Sequence, residues 1–155
     1  MMAILQELIE ALRNELQQYG EMLALLEQQG ESIRLHGAES LSISAIETQS
    51  GAIQEARSAR ELAQNKLAEE LHRGHNGALG EMIPSIPEQY RPLLNALTQE
   101  NNELIERVRQ RAQQNQLLMR HSLDRMQSLI ANLSPTFNAS KEPLLAVESA
   151  SPLAI

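Results

Sequence analysis

The chain has 155 residues, which suits one domain, and a net charge of −7, which argues against a nucleic-acid partner because phosphate binding requires a basic face. It has no cysteine, which excludes disulfides and thiolate metal sites. Aromatic residues are only 2% of the chain, and its many Leu, Ala, Met, Gln, Glu and Arg residues favour helices over strands, so we predict an elongated all-α protein.

The first residues do not have the pattern of a targeting or membrane-spanning segment. No basic region precedes the apolar residues, and Gln6, Glu7 and Glu10 interrupt them. No run in the chain approaches the roughly 18 apolar residues that a membrane span requires. We therefore expect a cytoplasmic protein that does not insert into membranes.

The first predicted helix runs from about residue 2 to 35. Its main feature is an unbroken seven-residue repeat of four apolar residues and one tyrosine. Such a repeat is typical of helices that pack along one another. Gly37 follows the repeat and is suited to end the helix. The repeat consists of Leu5, Leu12, Tyr19, Leu26 and Ile33.

The second predicted helix spans about residues 38–73. Ser44 and Glu47 have the spacing of a capping box, in which each side chain accepts a hydrogen bond from a backbone N–H of the first turn. The connection from Gly74 to Arg91 is rich in glycine and proline, and Ala78 to Ile83 is predicted to form a short helical turn. The apolar stripe of this second helix contains small residues and reads Ile46, Ile53, Ala56, Ala63, Leu67 and Leu71.

The third predicted helix, about residues 92–133, is the longest. Pro92 suits its first turn, where a missing N–H costs nothing, and Ser134 and Pro135 end it. We predict that residues 1–133 form one helical domain, an elongated antiparallel bundle of three long helices, followed by a flexible tail at 134–155. The stripe of the third helix reads Leu94, Leu97, Asn101, Leu104, Val108, Ala112, Asn115, Met119, Ser122, Met126, Leu129 and Leu133.

Two features of this stripe allow two interpretations each. Asn101, Asn115 and Ser122 either face a bundle edge or fix the register of packed helices, or they mark a stretch that receives a partner helix. Met119 and Met126 are either core residues or part of an adaptable binding face. Because the third helix is longer than the others, part of its stripe is expected to lack a partner within the chain.

The histidines do not form a recognisable catalytic or metal site. His72 and His75 are spaced as His-x-x-His, but the glycines on either side of His75 are unsuited to a fixed ligand geometry, and no fourth ligand is evident. His121 lacks the neighbouring Lys or Gly that would make room for a phosphate. We therefore expect a protein that is not an enzyme and that uses no metal or other cofactor.

Two segments resemble the FlgN-type export chaperones. The first is Tyr19 to Leu71, in which a long helix containing Leu-Ala-Leu-Leu-Glu at 23–27 is followed by a turn and a second helix. The other is Arg-Ala-Gln-Gln-Asn-Gln-Leu-Leu-Met-Arg at 111–120, followed by apolar residues, a helix stop and Phe137. The tail of such chaperones often carries a tyrosine, whereas this chain has Phe137 followed by Asn138.

The resemblance implies a chaperone for flagellar hook-associated proteins. Such a chaperone binds the C-terminal helical segments of these subunits, prevents their premature assembly and delivers them to the type III export apparatus. A self-associating coiled-coil tether or adaptor, and hence a homo-oligomer, is the alternative. We predict that Phe137 takes part in docking of the tail. The residues predicted to bind the substrate protein are Asn115, Leu117, Leu118, Met119, Ser122, Met126, Leu129 and Leu133.

Overall fold

The computed structural model describes residues 1–37, 43–72 and 78–133, with side chains through Ala131 in the last range. The helices are α1 (Met2–His36), α2 (Ser44–Glu70), α3 (Leu79–Met82) and α4 (Arg91–Leu133), with 3-10 turns at Ile83–Ser85 and Glu88–Tyr90. The described ranges contain no β-strand, so the all-α prediction is confirmed. The predicted tail, 134–155, lies outside the described residues.

Helix α1 is the central element, because it packs along both α2 and α4, whereas α2 and α4 meet only sparsely in the described part of the chain. The pairing with α2 is antiparallel. Near the start of α1, Lys66 Nζ lies 2.8 Å from Glu7 Oε1, and two turns later Arg60 Nε lies 2.8 Å from Glu15 Oε1. The central position of α1 explains why its seven-residue repeat is buried throughout.

The pairing of α1 with α4 is parallel, and two buried asparagines fix its register. Asn101 Nδ2 donates to the Leu12 carbonyl oxygen at 3.3 Å, and Asn115 Nδ2 donates to the Leu26 carbonyl oxygen at 2.7 Å. In each pair the two bonded residues are 89 positions apart in the chain. The two helices therefore keep one register over about four turns. The register-fixing interpretation of the asparagines is therefore the one that the geometry supports.

The buried residues form two clusters along the bundle. One joins the start of α1 and the end of α2 to α3, the following turn and the start of α4, so the predicted short helical turn contributes Leu79 and Met82 to the core. The other surrounds Tyr19 near the middle of α1. Its buried members are Tyr19, Met22, Leu23, Leu26, Ile46, Ile53 and Val108.

The ends of the helices confirm one predicted signal and correct another. Gly37 has a φ of 78°, and its N–H donates to the Ile33 carbonyl oxygen at 2.8 Å, so it ends α1 as predicted. The predicted capping box is wrong, because Ile43 holds the N-cap position, in helical geometry and without a side-chain cap. Ser44 is thus already inside the helix, where its carbonyl oxygen accepts a hydrogen bond from Thr48 Oγ1.

Candidate partner-binding surface

The end of α4 extends beyond the helix that covers it. Helix α1 ends at His36, and Gly37 lies beside Ser122, since a Cβ built on Gly37 would be 3.2 Å from Ser122 Oγ. The constant separation of 89 residues places His36 level with Arg125. About eight residues of α4, or roughly 12 Å at 1.5 Å per residue, therefore continue past α1.

This overhang exposes apolar side chains that would otherwise be core. Leu129 follows Ser122 by one repeat and continues the buried stripe of α4, yet it is 62% exposed. The reason is that α1 has ended at this level. Leu117, on the outer side of the same helix, is 65% exposed. The overhang therefore presents Leu129, a residue in line with the buried stripe, without a described helix to cover it.

A second group of apolar residues lies on the flank of α4 that faces α2. Thr98 and Ile105 identify that flank, because they line a groove together with Arg60 and Gln64 of α2. Further along α4, the same flank carries a run at helical spacing, which we call the terminal stripe. It consists of Met119, Leu123, Met126 and Ile130, all of them partly buried.

Helix α2 does not extend along the terminal stripe. Its first buried residue, Ile46, belongs to the same cluster as Leu26 of α1 and Val108 of α4. The ion pairs between α1 and α2 place Ser44 level with about residue 30 of α1, and hence with about Met119 of α4, so the part of the terminal stripe after Met119 lies beyond α2. Within the described ranges, the three-helix arrangement therefore becomes a pair of helices and finally a single helix.

The residues predicted to bind a partner or dock the tail fall into five groups. Asn115 and Ser122 are buried against α1, and the Asn115 side chain is only 1% exposed. Leu117 and Leu129 are exposed, and Met119 and Met126 belong to the terminal stripe. Leu118 is partly buried on the other flank of α4. The Leu133 side chain and Phe137 lie outside what the structure describes.

Two members of the terminal stripe, Leu123 and Ile130, are absent from the residues predicted to bind. Their spacing in the sequence indicates that they share a face with the methionines. Leu123 is four residues after Met119, and Ile130 is four after Met126. The predicted stripe already includes Met119 and Met126, and Leu123 flanks it and widens the apolar face.

The groove between α2 and α4 has a volume of about 250 Å³ and contains the main buried charge of the bundle. The Glu15 side chain there is 2% exposed and pairs with Arg60. Tyr19 Oη donates to Glu15 Oε2 at 3.4 Å, and burial, followed by the Glu15 charge, raises the pKa of Tyr19 to about 12. Because each charge here has a partner, the group is suited to holding α1 and α2 together.

The histidines and the remaining acidic residues are described by three further observations. The described ranges contain no group of three or more His, Asp or Glu side chains that could hold a metal ion. His121 is exposed, and His75 lies outside the described residues. No helix among those described is long and apolar enough to span a bilayer.

A comparison with protein families identifies the chain. The family model for the FlgN protein matches residues 1–142, which include all four helices and the whole overhang. No curated protein and no solved structure matches the chain. The match covers most of the sequence, and the helical architecture agrees with it. The chain belongs to the FlgN family of flagellar chaperones.

Proposed function

We propose that this protein is a cytoplasmic export chaperone that binds the C-terminal helical segments of flagellar hook-associated proteins. It keeps those segments from assembling prematurely and delivers them to the type III export apparatus. The observation that carries the proposal is the overhang of α4, where Leu129 continues a buried stripe but has no helix of the chain against it in the described ranges.

The proposed binding mode is that of a helix in a groove. An amphipathic helix presents apolar residues three and four positions apart, and the terminal stripe has the matching spacing. A partner helix would add a member to the two-helix part of the bundle, next to Met119 and Met126. Full burial of one leucine or methionine stabilises an interface by about 1.5–3 kcal/mol, so a few such contacts suffice for specific binding.

The methionines suit a chaperone that has to release its partner. Their unbranched side chains adapt to different apolar surfaces, so the overhang can accept related subunits without close shape complementarity. Asn115 and Ser122 hold α4 on α1 at the base of the overhang. In this proposal they contribute by positioning the binding helix, and Leu117, Leu118 and Leu133 contribute apolar area around it.

The proposal is tested by mixing the full chain with purified C-terminal segments of hook-associated proteins and measuring mass by size-exclusion chromatography with light scattering. We expect a stoichiometric complex. A tight homodimer that does not bind the segments would instead favour the coiled-coil tether and contradict the chaperone function.

Variants of the terminal stripe show whether the overhang is the binding surface. Met119→Ala together with Met126→Ala should weaken segment binding about tenfold or more, because the loss of two partly buried side chains exceeds 1.4 kcal/mol. The helical circular-dichroism signal should be retained, since Met126 lies beyond α2 and Met119 is level with its first turn. Loss of that signal would show that these methionines belong to the core and that the binding surface is elsewhere.

A further inference from the structure

We propose that the partner helix continues from the terminal stripe into the groove between α2 and α4, and that it carries an acidic residue that pairs with Arg57. This inference deepens the proposed function and rests on it. The overhang alone offers the partner roughly two turns of α4, whereas the groove extends the binding surface along α2 as far as α3.

The space between α2 and α4 is filled at one end and open beyond it. Both helices pack on α1, and they meet each other only sparsely in the described ranges. At one end, α3 and the turn after it fill the space with the apolar side chains of Leu79, Met82, Ile83 and Ile86. The groove begins at α3 and reaches Ile105 of α4. A partner helix in the groove would therefore continue the place in the bundle that α3 occupies at its end.

The two walls of the groove carry matching series of partly buried residues. Gln64 of α2 and Thr98 of α4 both line the groove. Because α2 runs antiparallel to α4, steps of seven residues, backwards along α2 and forwards along α4, lead from these two positions to further pairs at one level. The pairs are Gln64 with Thr98, Arg57 with Ile105, and Ser50 with Ala112.

Small side chains keep the walls apart between the groove and the overhang. Ser50 and Ala112 are both too short to reach across at their level. One further step of seven leads to Ile43, at the start of α2, and to Met119, the first residue of the terminal stripe. Ile43 is 52% exposed, so its apolar surface is open where the groove meets the stripe.

The groove and the terminal stripe thus form one continuous surface. From residue 98 to residue 126 the flank of α4 repeats every seven residues, and each member of the repeat is partly buried. These 28 positions correspond to about 42 Å of helix, so the surface suits a partner helix of about eight turns.

The charges of the walls indicate the chemistry of the partner. Arg57 is the one charged residue among the six in the paired series. The neighbouring Arg60 is already bonded to Glu15 at 2.8 Å, whereas Arg57 has no ion pair among the described residues. A partly buried guanidinium favours a carboxylate beside it. The partner is therefore an amphipathic helix with an Asp or Glu beside its apolar stripe, about two turns from the end that reaches α3.

The test titrates a purified C-terminal segment of a hook-associated protein into variants of the full chain by calorimetry. Gly80 lines the groove, and a Cβ built on it would meet nothing within 4 Å, so Gly80→Leu obstructs the groove without strain. We expect this variant to weaken binding about tenfold, because at least one apolar side chain of the partner loses its place.

The matched control is Gly51→Leu. A Cβ on Gly51 would also meet nothing within 4 Å, but this glycine lies on the exposed face of α2 and does not line the groove. Gly51→Leu should bind the segment as the unchanged protein does. Equal urea midpoints of the two variants would show that neither substitution disturbs the fold.

A fluorescent label reports directly whether the groove is occupied. The chain has no cysteine, so Asn102→Cys provides a single attachment site for an environment-sensitive fluorophore on the exposed rim of the groove. Its emission should shift to shorter wavelength when the segment binds. The same label on Gly51→Cys should not respond.

The acidic residue of the partner is tested at Arg57. Arg57→Gln should weaken binding about threefold at low salt and less at high salt, because it removes one partly exposed ion pair. Arg57→Lys should retain most of the affinity, since it keeps the charge. Equal binding by Arg57→Gln and the unchanged protein would overturn the assignment of an acidic partner.

The remaining outcomes separate this inference from the proposed function. If the unchanged protein binds the segment but neither Gly80→Leu nor the label on Asn102→Cys responds, the groove is not part of the surface and the chaperone function stands. Equal weakening by Gly80→Leu and Gly51→Leu would also overturn the inference. A label response that grows with protein concentration alone would assign the groove to a second copy. Failure of the unchanged protein to bind would overturn the proposed function and this inference with it.

Discussion

Two glycine-to-alanine changes test the packing of α4 on α1, because the helical contexts are similar and the surroundings differ. A Cβ built on Gly30 of α1 would lie 2.7 Å from both Asn115 Oδ1 and Arg111 Nη2, whereas a Cβ on Gly51 of α2 would meet nothing within 4 Å. The end of Arg111 can move aside. Asn115 cannot do so freely, because its amide is bonded to the Leu26 carbonyl oxygen at 2.7 Å.

The expected magnitudes follow from two opposing effects. Alanine is favoured over glycine inside a helix by about 1 kcal/mol, and Gly51→Ala should gain that amount. Gly30→Ala should gain the same amount but lose about 2 kcal/mol to overpacking, so its net effect is a loss of about 1 kcal/mol. For a chain of this size the midpoint temperature should change by about 3 °C in each direction.

Urea unfolding followed by circular dichroism measures both effects as changes in the midpoint at constant slope. The difference in the free energy of unfolding between the two variants should be about 2 kcal/mol. If Gly30→Ala were as stabilising as Gly51→Ala, α4 would not approach α1 at this level. The register set by Asn115 would then be wrong, and so would the position of the overhang.

Two further predictions concern the buried charges of the bundle. Arg60→Ala should destabilise the fold by about 3 kcal/mol, because Glu15 would be left as an unpaired buried carboxylate, whereas Lys66→Ala, which breaks an exposed pair with Glu7, should change stability by less than about 1 kcal/mol; equal urea midpoints for the two variants would contradict this. Because the pKa of Tyr19 is raised from 10.0 to about 12, its contribution to stability is present below pH 10 and is lost as pH rises from 10 to 12. Tyr19→Phe should lack that part of the decline in alkaline unfolding curves, and an unchanged decline would refute the assignment.

Most of the fold follows from periodicity. The repeat from Leu5 to Ile33 is buried as the sequence predicts, because a helix with an apolar residue at every seventh position has one face to cover. Gly37 and the proline-rich connection mark their boundaries for local steric reasons. Such signals act within one or two turns and do not depend on which helices become neighbours.

The parts that the sequence left open depend on contacts between distant residues. An asparagine in an apolar stripe has the same pattern whether it is exposed or bonded to a neighbouring helix, and only the partner carbonyls of Leu12 and Leu26 decide between the two. Glu15 occupies the same position of the seven-residue repeat as the buried Leu8 and Met22, and Arg60 of α2 supplies the partner for its charge there. Ser44 was expected to cap its helix, but the chain is already helical at Ile43.

The same limit applies to the binding surface. The length of α4 predicts that part of its stripe lacks cover, but the residue at which cover ends depends on the register of α1 and α4. That register places the boundary near Ser122 and Arg125. It also distinguishes Leu129, which is exposed, from Asn115, which is buried, although both lie on one stripe.

The most direct test of the overhang as the partner-binding surface is calorimetric titration of a hook-associated C-terminal segment into two matched variants of the full chain. Leu129→Asp places a charge on the overhang, and Leu62→Asp places one on α2, where the leucine is similarly exposed at 58%. We predict that Leu129→Asp weakens binding at least about tenfold while Leu62→Asp binds as the unchanged protein does. Unchanged binding by Leu129→Asp, or equal weakening by both, would contradict it.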